Sequence, residues 1–257
     1  MMTGTRDYQD FRLILPEQKR LRCAFDLVTH AAGFVYEKTN ARAPSGQLFD
    51  RKGLLQAARS YELRADAALD WLSEGAADLA VVGADMLAEY KAAHPDAPLK
   101  PVLTLDRIAR CSLWIAARPE IYIRDITDLG DMRLATAYPA FLQQWLQQNN
   151  VRPSRIIGQK GNAEATIEAG RADAILEVVE TGASLAANGL EKKLWAFNSQ
   201  ALLVRNINAF SAAGEKFTTA LVARLEKAAT SADSEVRPNR DPASRTPRPP
   251  VGLSARP

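Results

Sequence analysis

Cysteine and histidine are nearly missing: 257 residues hold only Cys23, Cys111, His30 and His94. Two cysteines rule out a disulfide framework, and their spacing gives no metal-ligand pattern. Charge of one sign is also scarce. Lys+Arg 33 against Asp+Glu 30 leaves a formal +3, a small excess for a dedicated nucleic-acid binder. No apolar run approaches the roughly 18–20 residues of a membrane span. The polar start, Met1 to Asp10, lacks the apolar core of a signal peptide. The expectation is a reduced, cytoplasmic protein with neither nucleic acid nor membrane as partner. No Ser-His-Asp or Cys-His set can be assembled: both histidines read as surface residues, and both cysteines read as buried small apolar groups.

What is present is an ordinary globular composition, 47% apolar, long enough for one large domain or two small ones. It breaks near residue 230. Residues 231–257 hold six of the fourteen prolines, and five arginines against three acids. With so little apolar surface to bury, this stretch reads as a disordered tail, and it carries most of the excess positive charge. Upstream, short apolar runs alternate with helical patterns. Strands are expected at Phe11–Leu15, Leu79–Gly83, Val102–Leu105, Cys111–Ala116 and Met132–Thr136. Shorter ones are expected at Ile156–Ile157, Ala174–Leu176, Leu194–Phe197 and Ala201–Val204. Helices are expected at Gln18–His30, with Leu21, Cys23, Ala24, Leu27 and Val28 inward, and at Ala65–Glu74, Pro139–Gln148 and Glu215–Ala229. No internal repeat stands out. The pattern predicts α/β architecture in two three-layer lobes: 8–105 with 192–230, then 106–191, followed by the tail.

The densest cluster of special residues lies between Gly161 and Leu190. A strand-like run from Ala174 to Val179 ends in Thr181-Gly182-Ala183-Ser184, with a short helix after it. A glycine that lets backbone N–H groups converge, two hydroxyls and a helix start suit a phosphate. The acids around it, Asp173, Glu177 and Glu180, suit sugar hydroxyls. An ordinary strand–turn–helix capped by Thr181 accounts for the same spacing.

This stretch resembles the signature of the ATP phosphoribosyltransferases. Glu164 and Gly170 stand at the family separation, followed by Asp173-Ala174-Ile175 and by Glu180-Thr181-Gly182-Ala183-Ser184-Leu185, with Asn188-Gly189-Leu190 closing the motif. Glu177 stands where Asp is usual, and Ser184 where Thr is usual. Leu134 to Pro139, Glu74 to Asp85, and Leu15-Pro16 through Arg20-Leu21 are similar to three further family motifs. In the last of these, Glu17-Gln18-Lys19 replaces the usual Ser-Lys-Gly. In the region around Arg64, the family's Asp and Pro positions hold Ala67 and Leu69.

The resemblance implies two lobes like those of type II periplasmic binding proteins. It implies transfer of phosphoribosyl from phosphoribosyl pyrophosphate (PRPP) to N1 of ATP, the first step of histidine biosynthesis. No covalent catalyst and no resident metal are then needed, and Mg²⁺ travels on the diphosphate. Thr181, Gly182, Ala183 and Ser184 would hold the 5-phosphate. Asp173 is the first candidate for the ribose diol, then Glu164, then Glu177. Arg20 and Arg64 would meet pyrophosphate or ATP phosphates. The length resembles the short form, which works as a homodimer within a hetero-oligomer containing a histidyl-tRNA-synthetase-like regulatory subunit. A non-catalytic PRPP- or nucleotide-binding sensor is the second reading, because the phosphate loop is kept better than the amino-terminal motifs.

Overall fold

The computed structural model describes residues 11–40, 42–51, 58–105, 109–208 and 212–235. The chain opens with β1 (Arg12–Pro16), α1 (Lys19–Ala31), β2 (Phe34–Lys38), β3 (Ser45–Asp50), β4 (Ala58–Leu63), α2 (Ala65–Ser73), β5 (Leu79–Gly83), α3 (Ala84–Ala93) and β6 (Leu99–Leu105). It continues with β7 (Cys111–Ala117), β8 (Arg133–Thr136), α4 (Pro139–Gln148), β9 (Arg155–Gly158), α5 (Glu164–Glu168), β10 (Ala174–Val179), α6 (Ala183–Ala187) and β11 (Glu191–Ser199). β12 (Ala201–Asn206) and α7 (Ala212–Glu235) close it.

Two mixed sheets result. The first has seven strands in the order β2-β3-β4-β1-β5-β12-β6, and the second has five in the order β11-β7-β10-β8-β9. In the first, Leu21, Phe25 and Val28 of α1 and Phe217, Leu221 and Leu225 of α7 bury one face. Leu69 and Leu72 of α2 and Leu87 of α3 bury the other. In the second sheet, Leu142 and Leu146 of α4 cover one face, and Ile167 of α5 and Leu185 of α6 cover the opposite one. Both are therefore three-layer α/β units, as the alternation of runs predicts. Among the described residues no helix is long and apolar enough to cross a membrane.

Several expectations are corrected. β11 pairs with β7 in the second sheet, and β12 with β5 and β6 in the first. The chain thus returns to the first sheet at Gln200 rather than at residue 192, and Leu194–Phe197 and Ala201–Val204 lie in different sheets. α7 runs through Glu235, five residues into the predicted tail; residues 236–257 lie outside the described ones. On α1 the inward stripe is set by Leu21, Phe25 and Val28. At about 100° per residue this turns positions 23 and 27 outward, so Cys23 is exposed and Leu27 is 71% exposed.

The two sheets also share a construction that the sequence reading did not find. Before β5, left-handed Gly75 is followed by Ala76-Ala77-Asp78; before β10, left-handed Gly170 is followed by Arg171-Ala172-Asp173. Asp78 accepts the Arg12 N–H at 2.8 Å, and Asp173 accepts the Arg133 N–H at the same distance. Each Asp N–H returns a bond to the carbonyl of that same arginine. The arginines begin β1 and β8, the parallel neighbours of β5 and β10. A Gly-x-Ala-Asp bracket thus aligns the central strands of both halves.

Candidate functional site

Ligands of open α/β sheets sit beyond the carboxyl ends of parallel strands, and here the two sheets present those ends to one another. Between them lies a cleft of about 940 Å³. Its first wall carries Arg20 from the first turn of α1, and Arg64 and Asp66 at the start of α2. Its second carries Tyr138, Lys160 and Glu177. A smaller pocket of about 210 Å³ opens beside it, lined by Glu164, Glu177, Glu180, Thr181, Gly182 and Ser184. Glu177 borders both spaces.

The loop at the end of β10 is a tight turn that leads into α6. Gly182 takes φ +87, a left-handed turn that L side chains enter only under strain. Thr181 Oγ1 accepts the Ala183 N–H at 3.3 Å, tightening the turn, and Ser184 Oγ donates to Glu164 Oε1 at 3.1 Å. Thr181, Ala183 and Ser184 are solvent-exposed, so their polar groups are accessible to a ligand.

The structure separates the predicted acids. Asp173, the first candidate for the diol, stands at the opposite end of β10 from the loop, about 20 Å away by strand rise. Its two oxygens accept from Arg133 Nη2 at 2.6 Å and Nε at 3.1 Å, as well as from the Arg133 N–H. The guanidinium holds the carboxyl below its usual range. Asp173 is thus a strand bracket, and the diol assignment made for it is corrected. Glu164 and Glu177 do come together at the loop pocket. Burial, with Glu164 and Asp85 nearby, raises the Glu177 carboxyl above its usual range.

Both predicted arginines line the cleft. Arg20 Nε lies 2.7 Å from Glu180 Oε1. Arg64 extends into solvent, 3.8 Å from Asp66. Lys160, not singled out from sequence, adds a third cation and reaches Asp66 at 3.1 Å.

The sequence reading also missed a buried junction between the sheets. Asp85, at the start of α3, is 5% exposed. It accepts from Tyr138 Oη at 2.7 Å and from Ser199 Oγ, which in turn accepts the Asp85 N–H at 3.0 Å. Burial, then the Asp85 charge, push the Tyr138 phenol far above its usual range. One turn on, Glu89 accepts the Ala140 and Phe141 N–H groups at 3.1 and 2.7 Å, capping α4. A Cβ on Gly83 would collide with Asp85 Oδ1, so glycine there admits the carboxylate. Two acids four residues apart on α3 were the available signal. Among the described residues no cluster of three or more His, Cys, Asp or Glu could hold a metal ion.

A family model described as ATP phosphoribosyltransferase matches residues 64–227. The chain is 34% identical over 143 residues to an ATP phosphoribosyltransferase from Maricaulis maris (strain MCS10), covering 56% of this chain and 48% of that protein. It is 32% identical over 168 residues to one from Xylella fastidiosa (strain 9a5c), covering 64% and 55%. It thus spans about half the length of the curated relatives it matches. Among solved structures, the ATP phosphoribosyl transferase (HisG:HisZ) complex from Thermotoga maritima overlays with a TM-score of 0.67 at 21% identity, covering 86% of this chain and 99% of that one. The periplasmic aliphatic sulphonate binding protein SsuA from Escherichia coli overlays at 0.55 with 14% identity, covering 88% and 75%. At these identities the overlays establish the fold, two lobes of the periplasmic-binding-protein kind.

Proposed function

The chain belongs to the ATP phosphoribosyltransferase family, and on that premise we propose that it transfers the phosphoribosyl group of PRPP to N1 of ATP. The C1–oxygen bond to pyrophosphate breaks, the C1–N1 bond forms, and phosphoribosyl-ATP and pyrophosphate leave, as the first step of histidine biosynthesis. The observation that carries this reading is the Thr181–Ser184 loop at the end of β10, facing Arg20 across the cleft.

The 5-phosphate sits on the converging N–H groups and hydroxyls of that loop. Glu177 and Glu164, rather than Asp173, accept from the ribose hydroxyls. Arg20, Arg64 and Lys160 take the diphosphate and the ATP phosphates. Such a displacement develops positive charge on the ribose and negative charge on the leaving group, so positioned donors and acceptors account for the catalysis. Mg²⁺ enters on the diphosphate as part of the substrate. A cytoplasmic location fits, since both substrates are cytoplasmic metabolites. The likeness to the Thermotoga complex supports a hetero-oligomer with a regulatory subunit of the HisZ kind; a homodimer of this chain inside it belongs to the same proposal.

The test is pyrophosphate release with ATP, PRPP and Mg²⁺, with and without a HisZ-type subunit. Turnover that rises with the subunit is expected. PRPP binding without turnover in either condition would overturn the enzyme reading in favour of a sensor. The double change Thr181→Ala, Ser184→Ala should weaken PRPP binding at least tenfold; unchanged affinity would reduce the loop to a turn.

A further inference from the structure

The cleft carries one contact that the transfer reaction does not call for. Arg20 belongs to the first sheet's layer and Glu180 to the second, yet the two form an ion pair across the opening, Nε to Oε1 at 2.7 Å. Glu180 immediately precedes Thr181 of the loop. A carboxylate next to a phosphate site repels the ligand unless a cation neutralises it, and here that cation is also the ligand's own expected partner.

The two side chains are anchored unequally. The Arg20 guanidinium is 19% exposed and also donates to the Ala109 carbonyl and, through Nη2, to Cys111 Sγ at 3.4 Å. Glu180 is 51% exposed, and the pair with Arg20 is what draws it across the cleft. The arginine is therefore fixed while the carboxylate is free to swing away. A half-exposed pair of this kind is weak. A diphosphate offers more charge and the paired oxygens that a guanidinium fork matches, so it displaces the single carboxylate.

Resting on the reading of the cleft as a PRPP site, we propose that Glu180 is a displaceable counter-ion that competes with diphosphate-bearing ligands for Arg20 and so limits how tightly they bind. In the empty cleft it occupies Arg20. A diphosphate ligand takes Arg20 and Glu180 turns to solvent. When pyrophosphate leaves, Glu180 reclaims the arginine, which keeps product affinity low. A ligand carrying only the 5-phosphate fills the loop and leaves the pair intact.

Isothermal titration of the full chain with inorganic pyrophosphate and, separately, with ribose 5-phosphate tests this. Glu180→Gln keeps the side chain's size at an exposed position. It should bind pyrophosphate about fivefold tighter than the native chain, the scale of one half-exposed ion pair, with a steeper dependence on salt. Ribose 5-phosphate affinity should change less than about twofold, since that ligand leaves the pair untouched. In an Arg20→Ala background the same change should have no effect, because the partner it frees is gone. Equal pyrophosphate affinity in the native chain and Glu180→Gln, an equal gain for ribose 5-phosphate, or a gain that persists without Arg20 would each overturn the proposal while leaving the site reading in place. Failure of the native chain and Glu180→Gln alike to bind either ligand would overturn the site reading, and the proposal with it.

Discussion

Asp173 and Glu177 stand four residues apart on the approach to and within β10, and opposite forces act on them. Arg133 stabilises the Asp173 anion, and burial disfavours that of Glu177. Asp173→Ala removes the acceptor of three bonds to Arg133 and should cost about 2 kcal/mol in urea unfolding, with PRPP affinity unchanged. Because its folded pKa is depressed, this contribution is present above the ordinary value of 3.8 and fades as pH falls through the folded value. The gap between native and variant midpoints should therefore shrink on acidification below pH 3.8. Glu177 has the reverse sign. Its folded pKa lies above the ordinary 4.5, so the native chain loses stability relative to Glu177→Gln as pH rises from 4.5 through the folded value. Unfolding midpoints at acid and neutral pH check this, and a constant difference would refute it. The sequence made the opposite choice between the two acids because both match sugar-binding chemistry. Only the position of Arg133, forty residues earlier, reveals which carboxylate is already engaged.

Elements were legible where one residue class dominated. Leu79–Gly83 is apolar throughout and buried throughout, and Pro139 starts α4 as its fixed φ requires. β2, β3 and β4 were not read from the sequence. They form an antiparallel meander at one edge of the first sheet and carry a polar residue at nearly every second position, as in Ser45-Gly46-Gln47-Leu48-Phe49-Asp50. Ser45-Gly46 resembles a turn, yet Gly46 lies inside β3, where the Glu37 carbonyl and the Tyr36 ring leave no room for a Cβ. The Thr181–Ser184 loop was legible as an element because its glycine, hydroxyls and helix start fall in one run. Its key position tests simply. Gly182→Ala meets no atom nearer than 3.9 Å, so its effect comes from φ +87 alone. A cost of about 1 kcal/mol in stability and a larger loss in PRPP affinity are expected from thermal unfolding and titration; intact affinity would show that the turn tolerates a side chain.

At the scale of the whole molecule, the two sheets meet along α3, where Asp85 holds Tyr138 and Ser199 and Glu89 caps α4. Tyr138→Phe leaves Asp85 Oδ2 buried without its donor and should cost about 1–3 kcal/mol, seen as a lower urea midpoint. An unchanged midpoint would place the seam's stability on Glu89 instead. Periodicity could not reveal this seam, since Asp85, Tyr138 and Ser199 are single polar residues at the ends of three elements far apart in the chain. The repeated Gly-x-Ala-Asp bracket gives the seam a further meaning. It makes the turn after β5 and the turn after β10 counterparts in two copies of one plan. In the first copy that turn is filled from within, by a tyrosine and a serine of the same chain; in the second it stays open to solvent. One architectural slot has become a joint in one half and, under the proposed function, a receptor in the other. The same kind of substitution should therefore register as lost stability in the first half and as lost ligand affinity in the second.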